Sequence, residues 1–341
     1  MSQGGGQMAA EMAEQPERLA ELLGRRHEIA KEIRRALPQP LAGTALVARG
    51  SSDHAATCGA YLLEIATGRP VALVSPSVLT LYKAETDFRG FLVIAVSQSG
   101  RTPEIAEVTE RARKKGGCTV AFTNDTASPL AKAAEVVVGL GAGQERAVPA
   151  TKTVTAELTA FALVADALGD IGLQERSLAE LPAQVGELLS DPGPAEATAD
   201  RIHDNDRMVT VARGILYGAA REVALKIEET TSLFATGYSA ADLRHGPIAV
   251  AATGPLVLAL AHPGPAAHDV TDLAGELAKR GAKVHLAGPV TGSDLPWPAS
   301  APEALAPVLA VVRGQQLALA LARRLGRDPD FPPGLSKVTA T

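Results

Sequence analysis

The sequence predicts an α/β protein of two tandem, doubly wound parallel-sheet layers, with a helical arm before them and a non-helical tail after them. Three observations carry this. Val47-Ala48-Arg49-Gly50 returns as Val211-Ala212-Arg213-Gly214, a displacement of 211 − 47 = 164 positions. Residues 93–100 (VIAVSQSG) align with residues 257–264 (VLALAHPG) at the same displacement, 257 − 93 = 164. Two separate strand–turn segments at one offset indicate a unit written twice. Within each copy, short apolar runs alternate with helical patterns of about 10–15 residues, as in βαβ units whose parallel sheet is covered on both faces.

The elements follow in chain order. Residues 1–37 form a helical arm, helical over 8–37, with Pro16 opening its main helix where a missing N–H costs nothing. The first layer, 38–167, carries strands at 44–48, 91–96 and 118–123 and a long amphipathic helix at 103–115. The stretch 168–199, containing Asp191-Pro192-Gly193-Pro194, connects the copies. The second layer, 200–325, repeats the plan with strands at 208–212, 255–260 and 283–287 and a helix at 266–280. Residues 326–341 form a Pro-rich tail. Right-handed crossovers make each copy doubly wound.

Bulk properties narrow the function. The 341 residues suit two domains, and 46% apolar content supports a large core. Net charge is −5, aromatic content is 3%, and the densest basic cluster, Arg111–Lys115, falls on a solvated helix face. No nucleic-acid partner is expected. Cys58 and Cys118 lie in separate apolar patterns, so neither a metal site nor a disulfide framework is expected, and two thiols fit a reducing compartment. No basic-then-apolar leader opens the chain and no apolar run approaches ~18 residues, so neither secretion nor a membrane span is expected. The expectation is a soluble, cytoplasmic protein without metal or cofactor.

Two elements carry chemistry. Ser97-Gln98-Ser99-Gly100-Arg101-Thr102 joins a buried strand to a helix opening with Pro103 and Glu104. Ligands of doubly wound sheets bind at the carboxyl ends of strands, and helix N-termini present free N–H groups suited to phosphate. Three hydroxyls and an amide exceed what helix capping needs, so this turn reads as a phosphate cradle. Gly50-Ser51-Ser52-Asp53 is the parallel turn after the first strand; its hydroxyls could reach sugar hydroxyls or simply cap the helix. In the second copy the matching Ala261-His262-Pro263-Gly264 has lost the donors, leaving one phosphate site per chain.

The second element is the helix at 217–231, where Lys226 and Glu229 are three apart and share a face. Glu228 and Glu229 lie about 100° apart around the helix and cannot both aim at one site. A partly buried carboxylate there could act as a base beside a carbonyl, or form an ordinary ion pair. A loop over 235–247 then closes on His245-Gly246-Pro247, fixing one imidazole able to exchange a proton near neutrality. The other six histidines read as surface or packing residues. In the tail, Leu335 and Val338 flank Lys337 as apolar anchors, and a docked lysine could meet a sugar carbonyl.

These residues resemble a known family. SQSGRT at 97–102 resembles the phosphate loop of the sugar isomerase (SIS) domain, a doubly wound, flavodoxin-like fold. ALKIEE at 224–229, GYSAADLRHGP at 237–247, GLSKVT at 334–339 and EMAEQPERL at 11–19 resemble the isomerase half of glucosamine-6-phosphate synthase and related amino-sugar phosphate deaminases. The resemblance runs from about Met8 to Thr341. It implies that Ser97, Gln98, Ser99 and Thr102 hold the phosphate, with Gly50, Ser51 and Ser52 near the sugar. It implies Glu229 as the base between C1 and C2, and His245 in ring opening from a neighbouring subunit, hence a homodimer. It implies Lys337 closing over the open chain and Lys226 supporting it. Residues 145–152 resemble the substrate-flanking loop, with Val148 and Ala150 beside the sugar. Ala150 replaces a hydroxyl of the synthase, Arg101 an acid and Glu228 a lysine.

The synthase draws ammonia from glutamine with a separate N-terminal domain bearing a terminal Cys; residues 1–37 are too few for it and hold no Cys. The expectation is therefore a deaminase converting glucosamine 6-phosphate to fructose 6-phosphate and ammonia. A fructosamine-6-phosphate deglycase or simple phosphosugar isomerase is the alternative. A non-catalytic sugar-phosphate-binding regulator is a third reading; it would need the cradle but not Glu229, His245 and Lys337.

Overall fold

A computed structural model describes residues 4–337. The chain divides into two compact units, one of residues up to Pro16, Glu145–Lys152 and Ala179–Lys337, the other of Glu17–Gln144 and Thr153–Leu178. Each holds one parallel sheet, and each is described by itself.

The first sheet contains β1 (Gly43–Val47), β2 (Val71–Leu73), β3 (Phe91–Val96), β4 (Cys118–Thr123) and β5 (Val136–Gly139), in the order β2-β1-β3-β4-β5 with every pairing parallel. The central β3 is apolar along its whole length, because a parallel strand covered on both faces has no solvent side. Ala45, Val47, Val93 and Ala95 pack with Ile105, Val108 and Ala112 of the helix Pro103–Lys114. The chain order reverses between β1 and β3. The turns leaving these two strands therefore flank the point where doubly wound sheets receive ligands.

The second sheet contains β6 (Arg207–Ala212), β7 (Phe234–Ser239), β8 (Leu256–Leu260) and β9 (Val284–Ala287), in the order β7-β6-β8-β9, again all parallel. The strand β7 and the helix Ala240–Arg244 occupy most of the segment expected to be a loop over 235–247. FATGYS lacks an apolar run because β7 is an edge strand with only two of its six residues buried, so its hydrogen bonds to β6 and not its side chains define it.

One helix, Glu303–Arg324, is long and apolar enough to cross a membrane by length and composition, against the sequence expectation, but 94% of that window is buried. Its apolarity is that of a core helix. It packs on the helix Tyr217–Thr231, and Gly314 marks the close approach: a Cβ there would stand 2.3 Å from Val223 Cγ2. The arm is three helices, Gly6–Ala13, Gln15–Gly24 and Arg26–Ala36, with Pro16 in the first turn of the second. The connection between copies contains the helices Glu175–Ser190 and Gly193–Ile202.

Candidate functional site

In the unit holding β1–β5, the 97–102 turn is built around Gly100. Its φ is +61°, and a Cβ would meet Ser128 Oγ at 2.1 Å, so any side chain is excluded by conformation and by space. The Gly100 N–H donates to Ser97 O (3.0 Å), and Ser97 N–H donates to Phe122 O (3.1 Å), tying the turn to the end of β4. Gln98 O accepts from Asn124 N–H (3.0 Å). Thr102 is the N-cap of the helix Pro103–Lys114, yet its side chain makes no cap hydrogen bond. Its hydroxyl lies 3.3 Å from that of Ser97 instead. Capping therefore does not account for Thr102, and two hydroxyls stand paired over a helix N-terminus whose first-turn N–H groups lack intrahelical acceptors. Ser99 Oγ accepts from Arg101 N–H (3.2 Å), and the Arg101 side chain reaches Asp125 (3.3 Å). Arg49, leaving β1, pairs with Glu104 in the first turn (2.9 Å).

The turn after β1 is less open. Gly50 has φ +58° and starts the helix Ser51–Thr67. Ser51 is half-buried, whereas Ser52 is buried and donates to Glu157 Oε1 (2.9 Å). The Ser52 proton is thus committed inside the protein.

In the unit holding β6–β9, the helix Tyr217–Thr231 spans the residues expected. Lys226 is fully buried between two carboxylates one turn either side of it: Glu222 Oε1 is 3.3 Å from its Nζ, and Glu229 Oε2 hydrogen-bonds it directly. Glu222 was not legible as a partner in the sequence reading, although its i−4 spacing from Lys226 is the signal that finds it. Burial alone would push the Lys226 ammonium down, but Glu222 and Glu229 outweigh burial and hold it above the usual lysine value. Burial raises Glu229 above the usual carboxylate range; Lys226 opposes the shift and Glu222 adds to it. Glu229 keeps 19% of its side-chain surface exposed, against 1% for Glu222. Of the two, only Glu229 can meet a ligand. Glu228 turns elsewhere, accepting from Ala235 N–H (3.4 Å).

His245 ends the helix Ala240–Arg244 and is exposed, with no side-chain hydrogen bond among the described residues. His262, one of the six histidines read as surface or packing residues, is buried between Trp297 Nε1–H (3.1 Å) and Ala301 O (2.9 Å). Charged contacts hold the tail beside the buried Pro329 and Pro332, whereas Leu335, expected as an apolar anchor, is 49% exposed and Val338 lies outside the described residues. Asp330 takes the N–H groups of Gln7 (2.9 Å) and Met8 (2.8 Å), capping the helix Gly6–Ala13. Lys337 Nζ lies 2.7 Å from the buried Glu145, and its charge reaches Glu229, easing that carboxylate downward after burial, Lys226 and Glu222 have acted. Val148 and Ala150 sit half-buried in the same 145–152 loop. In this unit, then, Glu229, Lys226 and Lys337 are electrostatically linked.

A family model described as SIS domain matches residues 44–167 and 201–293. The chain is 32% identical to a glutamine--fructose-6-phosphate aminotransferase (isomerizing) of Thermus thermophilus, over 97% of this chain and 58% of that one. It is 33% identical to the enzyme of the same name from Pyrococcus horikoshii, over 84% and 50%. The chain thus spans little more than half the length of such relatives. A crystal structure from Silicibacter pomeroyi DSS-3, provisionally named a phosphosugar isomerase, superposes with TM-score 0.85 and 34% identity, covering 95% of this chain and 99% of that one. The glucosamine-6-phosphate deaminase of Thermotoga maritima shares the fold, with TM-score 0.74 and 22% identity over 95% and 100%. Both parallel sheets, the duplicated turns and these matches agree, and the chain belongs to the SIS domain family.

Proposed function

We propose that the protein is a phosphosugar aldose–ketose isomerase acting on an amino sugar, converting glucosamine 6-phosphate and water to fructose 6-phosphate and ammonia. The observation that carries the proposal is Glu229: a carboxylate raised by burial, paired with a buried lysine, yet still partly open to a ligand. A raised carboxylate accepts and returns a proton near neutral pH more readily than an ordinary one. In this reading Ser97, Gln98, Ser99 and Thr102 hold the phosphate, with Gly50 and Ser51 at the sugar. Val148 and Ala150 flank the sugar chain. His245, supplied across a homodimer, assists ring opening, and Lys337 and Lys226 stabilise the open chain. Glu229 takes the C2 proton and delivers it to C1, which leaves an iminium at C2. Water adds there, and ammonia departs with the C2–N bonding pair.

Purified protein incubated with glucosamine 6-phosphate should release ammonia, and Glu229→Gln should lower the rate by about 10²–10⁴-fold, the usual worth of a positioned base. Failure to release ammonia from any 6-phospho-aminosugar removes this reading. Ala150, a half-buried methyl where the synthases resembled carry a hydroxyl, favours a second one: the same proton transfer on a fructosamine 6-phosphate or a plain phosphosugar. Product analysis over a panel of 6-phosphosugars separates the two.

A further inference from the structure

Glu145 is the one carboxylate in the loop 145–152, and its side chain is 0% exposed. Its two oxygens serve different partners. Oε2 is 2.7 Å from Lys337 Nζ in the tail, while Oε1 accepts from Thr151 N–H (2.9 Å) and lies 3.3 Å from Thr151 Oγ1. The loop is gripped from a second side as well. Glu11, buried on the helix Gly6–Ala13, accepts from the N–H groups of Arg146 and Ala147 (3.2 Å), and Glu14 pairs with the buried Lys152 (2.9 Å). That helix is in turn capped by Asp330 of the tail. Tail, first helix and loop thus form a closed circuit of charged contacts, and Glu145 is the point where the circuit meets the tail amine.

We propose that Glu145 is a positioning residue for Lys337: by holding the amine on one oxygen and Thr151 on the other, it sets the tail and the Val148–Ala150 segment in place together. The inference rests on the proposed role of Lys337 at the sugar, and it adds a residue that meets Lys337 and the loop but not the reacting carbons. An ammonium held on a buried carboxylate does not attack a carbonyl, so this contact describes the resting tail; substrate takes up the amine by displacing it from Oε2. The carboxylate remains anchored by Thr151 during that exchange, so the loop does not move when the lysine leaves.

The test measures Lys337 itself. Acetic anhydride labelling of the full-length protein, with the tail peptide quantified by mass spectrometry, should run about tenfold faster in Glu145→Gln than in wild type, since a charge-assisted hydrogen bond is lost. Glu145→Asp, which keeps the charge, should restore protection at least in part. With glucosamine 6-phosphate as substrate, Glu145→Gln should lower kcat while KM stays within about twofold, a split that general loosening of the fold would not give. Should Glu145→Gln fail to fold, Thr151→Val, which removes only the hydroxyl contact, should raise labelling in the same direction. Unchanged Lys337 labelling in the variants overturns the proposal. Faster labelling in a protein that turns over no phosphosugar would keep the tail contact and refute the function proposed above, so the two failures are distinguishable.

Discussion

Replacing Lys226 by methionine tests the buried charge cluster most sharply. Methionine matches the length of the lysine stem, so the change removes charge and little volume. Glu222 and Glu229 would be left one turn either side of an apolar side chain, with side-chain exposures of 1% and 19%. Removing one member of a buried ion pair costs about 3–5 kcal/mol, because the remaining charge is uncompensated. Since Glu229 is partly solvated, the low end applies, about 3 kcal/mol, or a melting temperature lowered by roughly 6–12 °C. The pH dependence has a definite sign. Burial already raises Glu229, and Lys226 is the main influence drawing it back down. Without Lys226 the folded Glu229 carboxylate rises further above its unfolded value, so the folded state binds more protons than the unfolded one. Stability then falls as pH rises through the folded pKa. The gap between variant and wild type, measured by thermal unfolding, should therefore widen between pH 5 and pH 8. A variant melting within about 2 °C of wild type at both pH values, or a gap wider at pH 5, would refute the reasoning.

Other outcomes follow from single contacts. Gly100→Ala should destabilise its unit by about 1–3 kcal/mol and raise KM for phosphosugars, because a Cβ collides with Ser128 at φ +61°; calorimetry and kinetics check both. Asp330→Ala removes the acceptor for two N–H groups of the helix Gly6–Ala13 and should cost about 0.5–2 kcal/mol by denaturant unfolding. If His245 acts across a homodimer, mixing inactive Glu229→Gln and His245→Ala chains should recover about a quarter of wild-type activity, since half of the dimers are mixed and each carries one intact site. No recovery after subunit exchange places His245 elsewhere.

The sheets were legible where burial dictated sequence. Phe91–Val96, Cys118–Thr123 and Tyr217–Thr231 fall on the residues expected, because central strands and a buried helix leave an apolar signature. The strands β2, β5 and β7 left none that was read: two have four residues or fewer, and β7 is a polar edge strand. Site residues divide in the same way. Lys226 and Glu229 pair through helical spacing, which sequence shows. Glu145 meets Lys337 from 192 positions away, and Asp330 meets Met8 from 322, contacts that no local pattern encodes. The anchoring expected of Leu335 is not seen: that side chain is 49% exposed, and the tail is held through Asp330, Lys337 and the buried Pro329 and Pro332 instead.

The most direct measurement is proton transfer itself. In deuterated water, wild-type protein given fructose 6-phosphate with ammonia, or glucosamine 6-phosphate, should place deuterium at C1 or C2, visible by NMR. Glu229→Gln, folded and still binding phosphosugar, should place none on the same timescale. Exchange at the wild-type rate in Glu229→Gln would contradict the account, for it would mean that another group moves the proton.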